Sequence, residues 1–537
     1  MRCIDVSGRF GMSLNRHCGF PSPADALRHL DHLGIDRAVV FNVEGREGGC
    51  PFVNRKTLDE IGRLPQGRER LIPAFSISPV MIYAQGALAE LRGMMEAHGP
   101  ALHFTRGLSG YVLAECEPIF EALRDLRPVV LLDFADGDRQ DLLATAASFP
   151  EVSFVVTDTS WSRMAHVLDL MSRRANILVE TSWLHTADDL EILCERFGAE
   201  RVLFGAGERA NYGAALATLA RAPIGDAARE RIAHGNAERL LRLPRPAAVG
   251  RAPSRLDSQS LWQRLLAGEP LPAPVIDAHA HLGASGGYVL KRNELETQIP
   301  AALALMERLG VQTMAVSGLN ALIGEPVAGN DELERALTPH GERFRGYFTF
   351  NPNRAAALAA RFDDAFGRPF FVGFKTLCDY WRVPITDPRF AAMFEYANHH
   401  RLPILHHTWG GACDSPGMFA DLVRRYPEAA FILGHSGGGN DGRREAEALA
   451  RENANVWLEW CGSFCSTIPW EESFTRVPPA KLIFGTDAMV HNPVWELGRL
   501  LSLDVPEELI RPMLGRTFQG ILARRRTQGG PATGGTW

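Results

Sequence analysis

Pro274-Val275-Ile276-Asp277-Ala278-His279-Ala280-His281-Leu282-Gly283 has an earlier counterpart in Arg2-Cys3-Ile4-Asp5-Val6-Ser7-Gly8-Arg9-Phe10-Gly11. The two stretches share an apolar frame and one aspartate, but Ser7 and Arg9 stand where the later copy has His279 and His281. The repeat continues in the same order along both halves. Leu33 to Val40 answers Leu309 to Val316, Glu69 to Pro79 answers Glu342 to Pro352, and Pro128 to Leu132 answers Pro403 to His407. Pro150 to Asp158 answers Pro427 to His435, Asn176 to Glu180 answers Asn455 to Glu459, and Arg201 to Gly205 answers Lys481 to Gly485. The offset drifts only from 272 to 280, so the copies differ by short loop insertions.

Each landmark is a short, continuously apolar run. Between the runs lie segments with helical spacing, such as Phe390 to Ala397 and Met418 to Val423. Continuous rather than alternating hydrophobicity marks strands buried on both faces, and alternation with helices marks a parallel sheet. About eight such units in roughly 250 residues predict a (β/α)8 barrel per half, an α/β chain of two tandem TIM barrels. An open doubly wound sheet is the alternative, but no Gly-x-Gly-x-x-Gly turn follows the first strand of either half. The reading divides the chain into a first barrel over 1–245, a Pro-, Ala- and Arg-rich linker over 246–270, a second barrel over 271–525 and a disordered tail over 526–537.

Bulk composition narrows the function. A length of 537 residues suits two domains, and 46% hydrophobic with 22% charged residues describes an ordinary globular protein. A net charge of -6 offers no basic surface for nucleic acid. No stretch approaches the ~20 uncharged apolar residues of a membrane span. The start, Met1-Arg2-Cys3-Ile4-Asp5, enters a strand-like run with no signal-peptide core. The nine cysteines form no close-set framework, and Cys461 and Cys465 lack a second pair to complete a zinc ribbon. Reduced thiols in a cytoplasmic protein are the expectation.

His279 and His281, two apart on the first strand of the second half, point to one face and make a half-site for zinc or a similar ion. Three more apolar runs end in side chains of the same kind: Leu402 to His407, Phe431 to His435 and Lys481 to Asp487. A barrel gathers strand ends at one rim, which is where barrel active sites form. The set is a candidate for one divalent metal, zinc before manganese, iron or cobalt, acting on a small-molecule substrate.

With these motifs, and with Gly373-Phe374-Lys375, Gly434-His435-Ser436-Gly437-Gly438 and Phe484-Gly485-Thr486-Asp487, the chain resembles the amidohydrolase superfamily, closest to the amidohydrolase-related branch that includes aminocarboxymuconate-semialdehyde decarboxylase. The resemblance covers nearly all of 271–525. It implies His279, His281, His407 and Asp487 as metal ligands, with His435 beside them and Asp487 as acid/base groups. His406 precedes the matching position and is expected to face away. In binuclear relatives a carbamylated lysine on the fourth strand bridges two metals; here a single metal is the expectation, with Lys375 contacting substrate or water. Trp381 and Arg382, with Tyr380, are candidates to clamp a flat or carboxylated substrate, unless that loop simply buries its tryptophan; His491 is a further candidate contact. Gly437-Gly438-Gly439-Asn440 reads as a flexible turn rather than a phosphate cradle, since no Gly-Lys-Ser/Thr follows.

Carried back to the first half, the ligand positions become Ser7, Arg9, Leu132, Asp158 and Gly207; a one-residue shift would put Asp133 in the third place. The first barrel is therefore expected to keep the fold, to hold no metal, and to pair with the second as an intrachain pseudo-dimer. The rival is a ligand-binding mouth built on Arg9, Arg106 and Asp158. Metal-dependent hydrolysis of an amide, lactone or similar bond is the leading activity. Non-oxidative decarboxylation of an aromatic or muconate-like acid is the alternative, and a non-catalytic scaffold is the third.

Overall fold

The computed structural model describes residues 1–14, 19–159, 163–244, 250–272, 274–462 and 465–526, so the tail expected over 526–537 lies outside the described residues apart from Arg526. The chain forms two compact units, Met1–Gln259 and Ser260–Trp537.

The first unit carries β1 (Ile4–Phe10), β2 (Arg37–Asn42), β3 (Leu71–Pro73), β4 (Phe75–Ile77), β5 (Ala101–Phe104), β6 (Val129–Asp133), β7 (Ser153–Thr157), β8 (Ile177–Glu180) and β9 (Val202–Leu203). β3 and β4 are one extended run that changes partner at Ala74: β3 pairs with β2 and β4 with β5. Pro73 has no N–H to give to a ladder, and the Ala74 N–H reaches Val40 instead. The circuit closes where the Val6 N–H meets the Phe204 carbonyl at 2.9 Å. All ladders are parallel, so eight strand positions stand in sequence order around the unit.

The second unit repeats the plan in one sheet: β10 (Ile276–Leu282), β11 (Thr313–Gly318), β12 (Phe344–Thr349), β13 (Phe371–Thr376), β14 (Pro403–His407), β15 (Ala430–Gly434), β16 (Val456–Trp460) and β17 (Leu482–Phe484). A parallel bridge between Ala280 and Ala488, just past β17, closes the barrel. This rules out the open doubly wound alternative. The segment expected as a linker is not bare: it holds the helix Ser260–Ala267, whose Leu261, Trp262 and Leu265 are buried and whose Ser260 hydroxyl donates to Glu507. Apolar residues at helical spacing, masked by the surrounding prolines, account for the difference.

Continuously apolar strands fill the second barrel from inside. Ile276, Ala315, Tyr347, Val372, Leu405, Ile432 and Ile483 form a buried layer capped by Phe518, Ile521 and Leu522 of the helix Arg516–Leu522. Such a layer tolerates no void. Leu405→Ala, at a side chain with no exposed surface, is expected to remove about 3 kcal/mol of the second unit's stability in urea denaturation. A loss under about 1 kcal/mol would show that the layer repacks.

Candidate metal centre

β10 and β11 slip register between Asp277 and Ala280. At that irregularity the buried Asp277 carboxylate accepts the N–H groups of His279 (3.1 Å) and Thr486 (3.0 Å). Just beyond it His279 and His281 enter the mouth with their Nε2 atoms 3.2 Å apart. Beyond β17 the chain turns through Asp487 at φ 59°, and its N–H returns to the His279 carbonyl at 2.7 Å. A non-glycine residue there is strained and is held only by such bonds. The turn brings Asp487 Oδ1 to 3.0 Å from His281 Nε2 and 3.8 Å from His279 Nε2. Three potential ligand atoms, all on buried residues, thus converge.

Each imidazole is held from behind. Glu459 Oε2 lies 2.9 Å from His279 Nδ1, the Ser317 carbonyl 3.3 Å from His281 Nδ1, Asp414 Oδ2 3.0 Å from His407 Nδ1, and the Cys461 carbonyl 3.2 Å from His435 Nδ1. Occupying Nδ1 fixes the tautomer and leaves Nε2 as the acceptor, the arrangement metal-binding histidines use. Burial holds three of the rings neutral: His279 lies well below the ordinary imidazole range, His407 is lowered to about 4 and His435 to about 3. Burial pushes Asp487 up, but the His281 hydrogen bond and neighbouring imidazoles outweigh it and keep the carboxylate well below its ordinary range. Lys375 from β13 is also buried, with its Nζ 2.6 Å from His279 Nε2. Imidazoles backed at Nδ1 and an ionised carboxylate make a donor set that fits a divalent metal.

The remaining predicted residues divide. His435, at φ 59° beyond β15, has its ring 5.0 Å from those of both His279 and His407. His407 reaches the mouth but stands outside the tight His279–His281–Asp487 cluster. His406 faces outward as expected, bonded to Thr376 and packed on Phe419 and Phe431. Lys375, expected to contact substrate or water, points inward from β13 with its Nζ against His279. Trp381 gives its indole N–H to the Leu322 carbonyl and packs with Leu319, Leu377 and Val490, so it is a wall of the loop and not a free clamp. Arg382 is exposed at a left-handed residue ending the helix Cys378–Trp381. His491 is buried behind Asp487, 3.6 Å from Oδ2, which makes it a backing group rather than an exposed contact. Tyr380, 5.6 Å from His407, and Trp409, 6.2 Å from both His407 and His435, stand at the mouth. Gly438, at φ 73°, faces the Trp409 ring so closely that a Cβ would lie 2.6 Å from it, which accounts for the glycine run as a turn.

The first unit rebuilds the same backbone with other side chains. β1 and β2 slip register between Asp5 and Gly8, and Asp158 and Gly207 keep positive φ (52° and 75°) where His435 and Asp487 have it. Strand register corrects one sequence pairing. Asp133 opposes Thr157 as His407 opposes Gly434, each next to the left-handed residue, so Asp133 and not Leu132 is the counterpart of His407. Arg9, fully buried, grips Asp158 through both Nη atoms at 2.8 and 2.9 Å and lies 3.5 Å from Glu208; Arg46 pairs with Asp133. Guanidinium groups thus fill the region that the candidate ligands line in the second unit. Removing one partner of a buried pair strands the other charge. Arg9→Met is expected to cost the first unit about 3–5 kcal/mol while leaving the chain's metal content unchanged; metal loss in this variant would contradict the assignment of the donor set to the second unit alone.

Among solved structures, 5-carboxyvanillate decarboxylase from Sphingomonas paucimobilis is similar at 13% identity and TM-score 0.36, over 48% of this chain and 100% of that one. A dihydroxybenzoic acid decarboxylase from Polaromonas sp. JS666, solved with manganese and 2-nitroresorcinol, is similar at 15% identity and TM-score 0.37, over 47% and 97%. A 2,6-dihydroxybenzoate decarboxylase from Rhizobium is similar at 14% identity and TM-score 0.35, over 45% and 98%. No curated protein sequence matches the chain. The amidohydrolase family profile matches residues 73–243 and 276–517, well over half of the sequence and both units, and the chain is therefore a member of the amidohydrolase family.

Proposed function

We propose that the second unit is a metal-dependent hydrolase acting on a small, carboxylated or cyclic substrate. The observation that carries the reading is the convergence of His279, His281 and Asp487 with His435 alongside. In this reading these three residues and His407 hold the metal, which is zinc by the preference of imidazole-rich sites. A divalent ion so held supplies Lewis acidity and activates water. His435, with Nδ1 anchored on a main-chain carbonyl, keeps Nε2 to take or return a proton. Lys375 places a positive charge at the floor, where it favours an anionic substrate group. Tyr380 and Trp409 offer aromatic faces at the rim for a planar ring.

Those aromatic faces also favour a second reading, non-oxidative decarboxylation of an aromatic acid, in which His435 would return a proton to the vacated carbon. The first unit, with its guanidinium-filled mouth, takes no catalytic part in either. Wild-type protein is expected to bind about one metal ion per chain and His279→Ala/His281→Ala none, by elemental analysis; a metal-free wild type would contradict both readings. Once a screen of lactones, amides and aromatic acids yields a substrate, labelled water separates them. Oxygen incorporated into product supports hydrolysis, whereas carbon dioxide release with solvent deuterium on carbon supports decarboxylation. His435→Asn is expected to lower kcat by about 10²–10⁴-fold with metal content retained.

A further inference from the structure

We infer that Glu459 is a positioning residue of the metal centre, fixing the ring of His279 and the left-handed turn that presents His435. The inference rests on the proposed metal-dependent function. Glu459, near the end of β16, is fully buried. Its Oε2 lies 2.9 Å from His279 Nδ1 and accepts the His435 N–H at 3.2 Å. One carboxylate oxygen therefore touches a candidate ligand and the backbone of the candidate acid/base residue.

The first unit separates the two jobs. Glu180 holds the equivalent place at the end of β8 and is also fully buried. It accepts the Asp158 N–H at 3.0 Å, so it holds the same left-handed turn. With Ser7 in place of His279 there is no imidazole to orient, and Ser182 fills the remaining acceptor capacity through its hydroxyl at 2.7 Å and its N–H at 2.6 Å. Both units clear space for this side chain with a glycine. A Cβ on Gly485 would lie 2.3 Å from Glu459 Oε1 and 2.7 Å from His279 Cβ, and one on Gly205 would lie 1.8 Å from Glu180 Oε2. Burying a carboxylate is expensive, so its retention where the ligands are gone marks the turn as the shared role. Orienting the ring is the added role of Glu459.

The test compares Glu459→Gln with Glu180→Gln in the full chain, reading Zn²⁺ affinity by chelator competition and stability by thermal unfolding. Each substitution keeps side-chain shape and should destabilise its own unit. Only Glu459→Gln should also weaken Zn²⁺ binding, by about 10–100-fold, because an amide no longer favours the tautomer that frees Nε2. Unchanged affinity in Glu459→Gln, or equal loss in both variants, would overturn the inference while leaving the function standing. A wild type that binds no Zn²⁺ would overturn both. Should Glu459→Gln not fold, histidine-¹⁵N NMR of the Zn²⁺-loaded wild type decides: a protonated, hydrogen-bonded Nδ1 on His279 supports the role, and an unprotonated Nδ1 overturns it.

Discussion

A buried aspartate on the first strand, clasping the strand that ends the circuit, is the interaction on which each barrel and its mouth depend. In the second unit Asp277 accepts the Thr486 N–H and also binds its hydroxyl, tying β10 to the chain beyond β17 while holding the His279 N–H. In the first unit Asp5 accepts the N–H groups of Ala206 and Ser7 at 2.9 Å each. Burial pushes both carboxyl groups up, Asp277 to about 7. Donors gathered from two strands offset that cost and set the register slip that aims the following side chains into the mouth.

That shared clasp explains how the two units keep one backbone around mouths lined by different side chains. The backbone of the mouth is fixed by groups that are not ligands: the aspartate on the first strand, the glutamate on the seventh, and glycines where those carboxylates press. Each has a counterpart in both units, as do the left-handed turns at 158 and 435 and at 207 and 487. Side chains aimed into the mouth are then free to change provided that charge and volume are still satisfied.

Much of this was legible in the sequence because its signals are local. Apolar runs spaced through both halves marked the strands, and histidines or aspartate at their ends marked the rim. Glu459 was visible as a repeated residue whose counterpart, Glu180, lies in a half without ligands, which pointed to scaffolding and hid its contact with His279. Asp414 and Trp409 gave no signal, since each acts through a loop whose path only the folded chain defines. The same holds for Trp381 and His491, where residue type suggested substrate contact but a main-chain carbonyl and a buried carboxylate claim the side chains. Pairing Leu132 with His407 failed because a one-residue gap is invisible in a short apolar run, whereas strand register resolves it.

Charge balance distinguishes the two mouths. In the first, Asp133, Asp158 and Glu208 are met by the guanidinium groups of Arg9 and Arg46. In the second, Asp487, Glu459 and Asp414 lie near one buried ammonium, that of Lys375. Guanidinium groups satisfy buried carboxylates permanently and occupy the space they satisfy. A lysine set against imidazoles leaves the mouth open beside lone pairs fixed from behind by Glu459 and Asp414. A divalent cation supplies the charge and the electron-pair acceptor that such a cluster calls for. Arg9, which stands where His281 stands in the second unit, answers with its own charge the carboxylates around it.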